Sequence, residues 1–300
     1  MPDSKRFLHP EAIKRIARLD LRARYIVEGF LSGAHRSPYF GQSVEFREHR
    51  EYSRGDDLRH IDWKVWAKQD RYYVKRYEED TNLRCTLLVD VSGSMRYGSG
   101  ALNKYEYACT LAVSLAYLLL RQQDAVGCVA FDESARGVVP LRTKRNHLQT
   151  LIAALDVNQP KQKTDVYRVM RSVAESYPRR GMILVFSDLL TDRTSLFRGL
   201  QLLRQRGHDV MVFHVLDDDE LDFPFNGPTR FEGLELPEHL TCNPRALREG
   251  YLKSLGVFLE EIRRGCMRQV IDYSLLRTSQ PLDAALATFL SYRMRVRSRS

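Results

Sequence analysis

Asp90, Ser92 and Ser94 alternate with single residues directly after an apolar run at 83–89. An apolar run of that length reads as a buried strand, so the carboxylate and two hydroxyls fall in one turn at the strand's C-terminal edge. Two further segments carry the same type of donor. Thr164 and Asp165 open a helical pattern, and Asp188 follows a second apolar run at 182–186. Two carboxylates (Asp90, Asp188) and three hydroxyls (Ser92, Ser94, Thr164) are hard oxygen ligands that suit Mg²⁺ or Mn²⁺ and not zinc or copper. They supply most of an octahedron and leave a position for water or an incoming carboxylate. The bland alternative is a strand-to-helix turn in which the hydroxyls cap backbone N–H groups.

From residue 83 onward, strand and helix patterns alternate. Runs at 125–131, 182–186 and 210–216 read as buried strands, 136–140 as a short edge strand and 273–277 as the last one. Between them, helical spacing predicts helices through Leu111 and Leu118, over 146–155, after Asp165, over 194–206, over 245–270 and over 282–293. Residues 221–243 read as an insertion with a short hairpin. The acidic run Asp217 to Glu220 reads as a solvated loop. Alternation at this spacing predicts an α/β fold with a doubly wound, mostly parallel sheet flanked by helices, whose ligands collect where strand order reverses. Residues 1–82 differ: helical periodicity over 10–30, then a charged, aromatic stretch over 44–77, predict a small helix-plus-hairpin module ahead of a domain at 83–300.

The whole chain limits the other readings. Its 300 residues are 43% hydrophobic and 28% charged, ordinary for a soluble domain. A polar N-terminus and the lack of a 20-residue apolar run lead to the expectation of a cytoplasmic protein. Five scattered cysteines fit reduced, packed thiols. A net charge of +9 raises nucleic-acid binding as an alternative, but basic and acidic residues are interspersed except in the tail at 293–299. His214 sits inside a strand pattern and reads as a core residue. The chain has no G-x-x-x-x-G-K-[ST], no G-x-G-x-x-G after a strand and no G-x-S-x-G. The expectation is a non-enzyme, with a metal-assisted phosphoester hydrolase as the catalytic alternative.

Asp90-x-Ser92-x-Ser94, Thr164 and Asp188, in this order and context, resemble the metal-ion-dependent adhesion site of von Willebrand factor A domains. The resemblance implies metal contacts from Ser92, Ser94 and Thr164, with Asp90 and Asp188 contributing directly or through water. The loop before Thr164 (Lys161, Gln162, Lys163) departs from the glycines often found there. Upstream, Arg50, Glu51, Tyr52, Gly55, Asp56, Asp57, Arg59, Ile61, Asp62, Trp63 and Ala67, then Val74, Lys75, Tyr77 and Glu78, resemble the signature of the domain-of-unknown-function 58 family. That resemblance implies a bacterial or archaeal protein working beside a MoxR-type AAA+ ATPase. The implied role is a metal-dependent protein-binding module, an adaptor or co-chaperone that grips an acidic residue of the ATPase or its client.

Overall fold

The computed structural model describes residues 18–33, 46–51, 73–77, 83–132, 134–156, 166–234 and 239–297. The chain divides into two units, residues 34–82 and the remainder. In the smaller unit, β1 (Phe46–Glu51) pairs antiparallel with β2 (Tyr73–Tyr77), with an irregularity between Phe46 and Glu48.

The larger unit begins with helix α1 (Leu19–Gly33) and continues with β3 (Arg84–Asp90), a 3₁₀ turn (Gly93–Arg96) and α2 (Lys104–Arg121). Next come β4 (Ala125–Phe131), β5 (Ala135–Arg142), α3 (His147–Asp156), α4 (Val166–Ser176), β6 (Met182–Ser187), α5 (Arg193–Gln205) and β7 (Asp209–Leu216). A short helix α6 (Asp218–Asp222), the hairpin β8 (Thr229–Glu232) and β9 (His239–Cys242), helix α7 (Pro244–Arg268), β10 (Asp272–Arg277) and α8 (Leu282–Arg297) complete it.

Six strands form one sheet in the order β10-β7-β6-β3-β4-β5. Every pairing is parallel except β4 with the edge strand β5. Buried on both faces, its inner strands are near-continuous apolar runs, and all six residues of β6 are buried. On one face α1, α2, α3 and α8 pack over Cys85, Leu87 and Val89. On the other, α4, α5 and α7 pack over Leu88, Ile183 and Val185. This is the doubly wound α/β architecture expected from the alternation.

The smaller unit ends at Asn82, and α1, read above with the N-terminal module, falls in the larger unit. Ala23, Ile26 and Val27 of α1 are completely buried in the core that α2 also lines, so this helix belongs with the sheet. Its apolar stripe needs the sheet unit's helices to leave water. Among the described residues, no helix is long and apolar enough to cross a membrane.

Candidate functional site

The strand order reverses at β3. The chain leaves β3 toward β4 and β5, then returns to β6 on the other side. The crevice beyond the C-terminal ends of β3 and β6 is therefore the switch point at which α/β sheets bind ligands. Asp90 ends β3, while Ser187 ends β6 and is followed by Asp188. The two carboxylates are delivered by neighbouring strands, and both residues are almost wholly buried.

Asp90 is held from two sides. Its Oδ1 accepts the Ser92 backbone N–H at 2.8 Å, and its Oδ2 accepts the Ser187 hydroxyl at 2.5 Å. Ser187 Oγ in turn accepts the Leu189 N–H at 2.9 Å. The turn after Asp90 brings Ser92 Oγ and Ser94 Oγ to 3.1 Å from each other. The Ser94 hydroxyl also bonds the Asp188 carboxylate, and Asp188 Oδ1 accepts the Leu190 N–H at 3.2 Å. Four of the five expected site residues thus converge. Thr164 and the neighbouring Lys163 lie outside the described residues.

A cation of the chain itself enters this cluster. Lys104, at the first position of α2, is fully buried, and its Nζ lies 2.8 Å from Asp188 Oδ2 and 2.6 Å from Glu220 Oε1. The helix start is fixed by a capping box in which Asn103 accepts the Glu106 N–H. Glu220 comes from α6, itself capped by Asp217. Asp217 is completely buried and accepts from the Ser99 hydroxyl (2.5 Å), the Thr278 hydroxyl (2.7 Å) and the Ser99 and Asp219 N–H groups (both 3.1 Å). The run from Asp217 to Glu220, expected as a solvated loop, is instead a capped helical turn with two carboxylates directed inward.

Burial and then the charge of Asp188 push Asp90 up to about 7. Burial would raise Asp188 too, but the Lys104 ammonium and the Ser94 hydroxyl outweigh it and hold that carboxyl below the usual range. Burial raises Glu220 despite Lys104. Desolvation would lower Lys104, yet its two carboxylate partners win, so it stays an ammonium. Three carboxyl groups, of which Asp90 and Asp188 are buried, therefore stand near one ammonium, which contacts Asp188 and Glu220. Acceptor-only oxygens with surplus negative charge are the donor set a hard divalent cation fits. Among the described residues no group of three His, Cys, Asp or Glu forms a metal cluster, so the candidate set depends on its hydroxyls.

His214 is a satisfied core residue, as its strand position implied. Its Nε2 donates to the Asp188 carbonyl at 2.8 Å, leaving Nδ1 to accept the Tyr273 hydroxyl at 2.8 Å. Burial pushes it down to about 4, so the ring is neutral and contributes no cation. All five cysteines are free.

The class of protein is thus an α/β domain with a polar, carboxylate-rich crevice at the switch point of its sheet. The family model described as "Protein of unknown function DUF58" matches residues 48–256, and the chain belongs to that family. Uncharacterized proteins of Mycobacterium tuberculosis and Mycobacterium bovis are each 26% identical to it over 294 residues, spanning 95% of this chain and 91% of theirs. Among solved structures, the conserved hypothetical protein BatB of Bacteroides thetaiotaomicron is 16% identical, with a TM-score of 0.45 over 71% of this chain and 99% of that one. The SpRpn10 VWA domain is 11% identical, with a TM-score of 0.41 over 69% of this chain and 94% of that one.

Proposed function

We propose that the chain is a protein-binding module in which Asp90, Ser92, Ser94, Thr164 and Asp188 hold Mg²⁺ or Mn²⁺ for recognition of an acidic residue on a partner. The observation that supports this reading most is the convergence of Asp90, Ser92, Ser94 and Asp188 at the switch point, with more carboxylates there than the one ammonium balances. When bound, such a cation supplies a Lewis-acidic position that a partner's carboxylate completes. The protein's part is to orient. Ser187 and the Ser92 N–H fix the Asp90 carboxylate, and Lys104 fixes Asp188. No bond is made or broken in this reading, and the chain is a non-enzyme.

The partner proposed is a MoxR-type AAA+ ATPase or its client, in the cytoplasm. This rests on the family signature. Calorimetry after chelator stripping tests the metal, with binding to wild type and none to Asp90→Ala. Pull-down of the ATPase should then require Mg²⁺ and fail for folded Asp90→Ala. Capture that survives in that variant sinks the metal bridge.

A further inference from the structure

Next to the crevice, the segment between β7 and α7 contributes most of the lining of an open pocket of about 450 Å³. Phe223, Phe225, Phe231, Tyr251, Leu190 and Leu234 form its apolar wall, and Ser94 reaches it from the candidate site. The rings support one another: Phe223 stacks on Tyr251 at 4.5 Å between centroids, and Phe225 meets Phe231 edge-on at 5.2 Å. Phe223 holds this place in a left-handed conformation (φ 43°), which a non-glycine residue keeps only when its surroundings fix it. Leu190 and Leu234 stay 53% and 51% exposed at the mouth, so the wall faces solvent. The volume falls within the ~300–1,000 Å³ of sites that enclose a bulky ligand group.

The charged side chains that line this wall are acids, two of which already have a basic partner behind them. Asp219, Glu220 and Glu232 line the cavity, and among the described residues no lysine or arginine does. Glu220 is bound inward to Lys104, and Glu232 pairs with Arg230 at 3.3 Å with both side chains mostly exposed. Asp219 accepts a neutral donor here, the Tyr97 hydroxyl at 3.2 Å. In a chain of net charge +9, this is a locally acidic rim on an aromatic pocket. Its chemical complement is a large apolar group with a cation beside it.

We infer that this cavity is a recognition pocket for a partner protein segment that inserts a Phe, Trp or Leu side chain flanked by Lys or Arg. An aromatic pocket of this kind is where association energy concentrates, because the inserted side chain loses water against the rings. The inference deepens the protein-binding reading and rests on it for its biological role, but the pocket does not need the metal. Through Ser94, one segment would span both features, with its acidic residue at the crevice and its apolar residue in the pocket.

The probes are acetylated, amidated Gly/Ser decapeptides with a central Arg-Phe, Arg-Trp or Lys-Leu pair and no Asp or Glu, titrated in chelator by fluorescence anisotropy. Peptides with the apolar residue changed to Ala, or the cation to Gln, are the controls. Wild type should bind the paired peptides at least about tenfold more tightly than either control. Leu190→Ser/Leu234→Ser should weaken binding by about tenfold, a realistic loss for two contacts. Glu232→Lys should weaken it further at low salt than at high salt. These positions are exposed, so the fold and Mg²⁺ binding serve as checks on each variant. No binding by wild type, or equal binding by the double variant, overturns the pocket. Because chelator is present and the peptides lack carboxylates, failure of the metal reading leaves this result unchanged.

Discussion

The ammonium of Lys104 and the carboxylate of Asp188 meet at 2.8 Å inside the protein, with side-chain exposures of 0% and 2%. Lys104 stands in the first turn of α2, where the helix dipole disfavours a positive charge. It is held there because Glu220 closes on its other side at 2.6 Å. Lys104 and its two carboxylates join three parts of the fold: the start of α2, the loop after β6 and the short helix α6. The crevice therefore has an internal counter-ion that keeps Asp188 ionised whether or not a divalent cation is present.

Replacing that ammonium leaves one buried and one partly buried carboxylate without compensation. Lys104→Met should lower stability by about 3–5 kcal/mol in chelator, the usual result of breaking a buried pair from one side. Adding Glu220→Gln to it should recover part of the loss by removing one stranded charge. Urea unfolding of the single and double variants checks this. A loss under about 1 kcal/mol, the range of an exposed pair, would show that water reaches Lys104.

Asp90 has the opposite problem, a buried carboxylate facing another with no ammonium of its own. Asp90→Asn keeps an acceptor for the Ser92 N–H and removes the like charge. In chelator it should unfold at a higher temperature than wild type, by about 2–4 °C for each kcal/mol of relief. Excess Mg²⁺ should reverse the order, stabilising wild type by about 2.7 kcal/mol at a hundredfold excess over Kd and leaving the variant unchanged. Thermal scans with and without Mg²⁺ read both effects. Equal response of the two proteins to Mg²⁺ would place the cation elsewhere.

Much of this architecture is legible in the residue pattern alone, for a physical reason. Strands buried on both faces must be apolar throughout, so β3, β4, β6 and β7 announce themselves, and Asp90 and Asp188 stand out as the carboxylates that follow two of them. Lys104 is not legible in that way. It looks like any lysine at the start of a helix, and its burial depends on acids 84 and 116 residues away. Asp217 and Glu220 escape for a similar reason, since four acids in a row read as solvated until Ser99, Thr278 and Lys104 are folded around them. The stripe of α1 shows that the helix packs but not against what, so periodicity alone does not assign it to the larger unit. The signature residues Asp56, Asp57, Arg59, Asp62 and Trp63 lie outside the described residues.

The position of Lys104 depends in turn on Gly98. A Cβ added there would lie 2.4 Å from Asn103 Cα and 2.7 Å from Asn103 Cβ, at the cap of α2. Backbone cannot yield as a flexible side chain can, so the helix start must shift. Gly98→Ala should cost about 1–3 kcal/mol, an overpacking penalty, and weaken Mg²⁺ binding with it. Gly100, with nothing within 4 Å of its added Cβ, is the control: Gly100→Ala should stay within about 0.5 kcal/mol of wild type. Urea midpoints and calorimetry on the two variants separate them. Equal behaviour would mean that the loop carries no positional information to Lys104.

Stability of the Asp90→Asn protein should fall on mild acidification, through buried histidines; in wild type Asp90, pushed up to about 7, takes up a proton in the same window and opposes them. Burial holds His147 and His208 below their usual value and pushes His214 down to about 4. The sign follows from proton uptake. Below pH 6.5 the unfolded chain binds protons that these folded rings refuse, so stability is level above that pH and lost as pH falls through the window below it. His214 alone contributes a slope approaching ~1.4 kcal/mol per pH unit between the two values. His147 Nε2 faces two carbonyls, Val126 at 3.1 Å and Pro140 at 3.0 Å, and a glutamine amide can donate to the same oxygens. In that background His147→Gln should therefore flatten part of the decline between pH 7.5 and pH 5.5. Urea unfolding of both proteins across that range measures it. A decline of unchanged steepness would show that His147 takes up its proton as readily in the folded protein as in the unfolded chain.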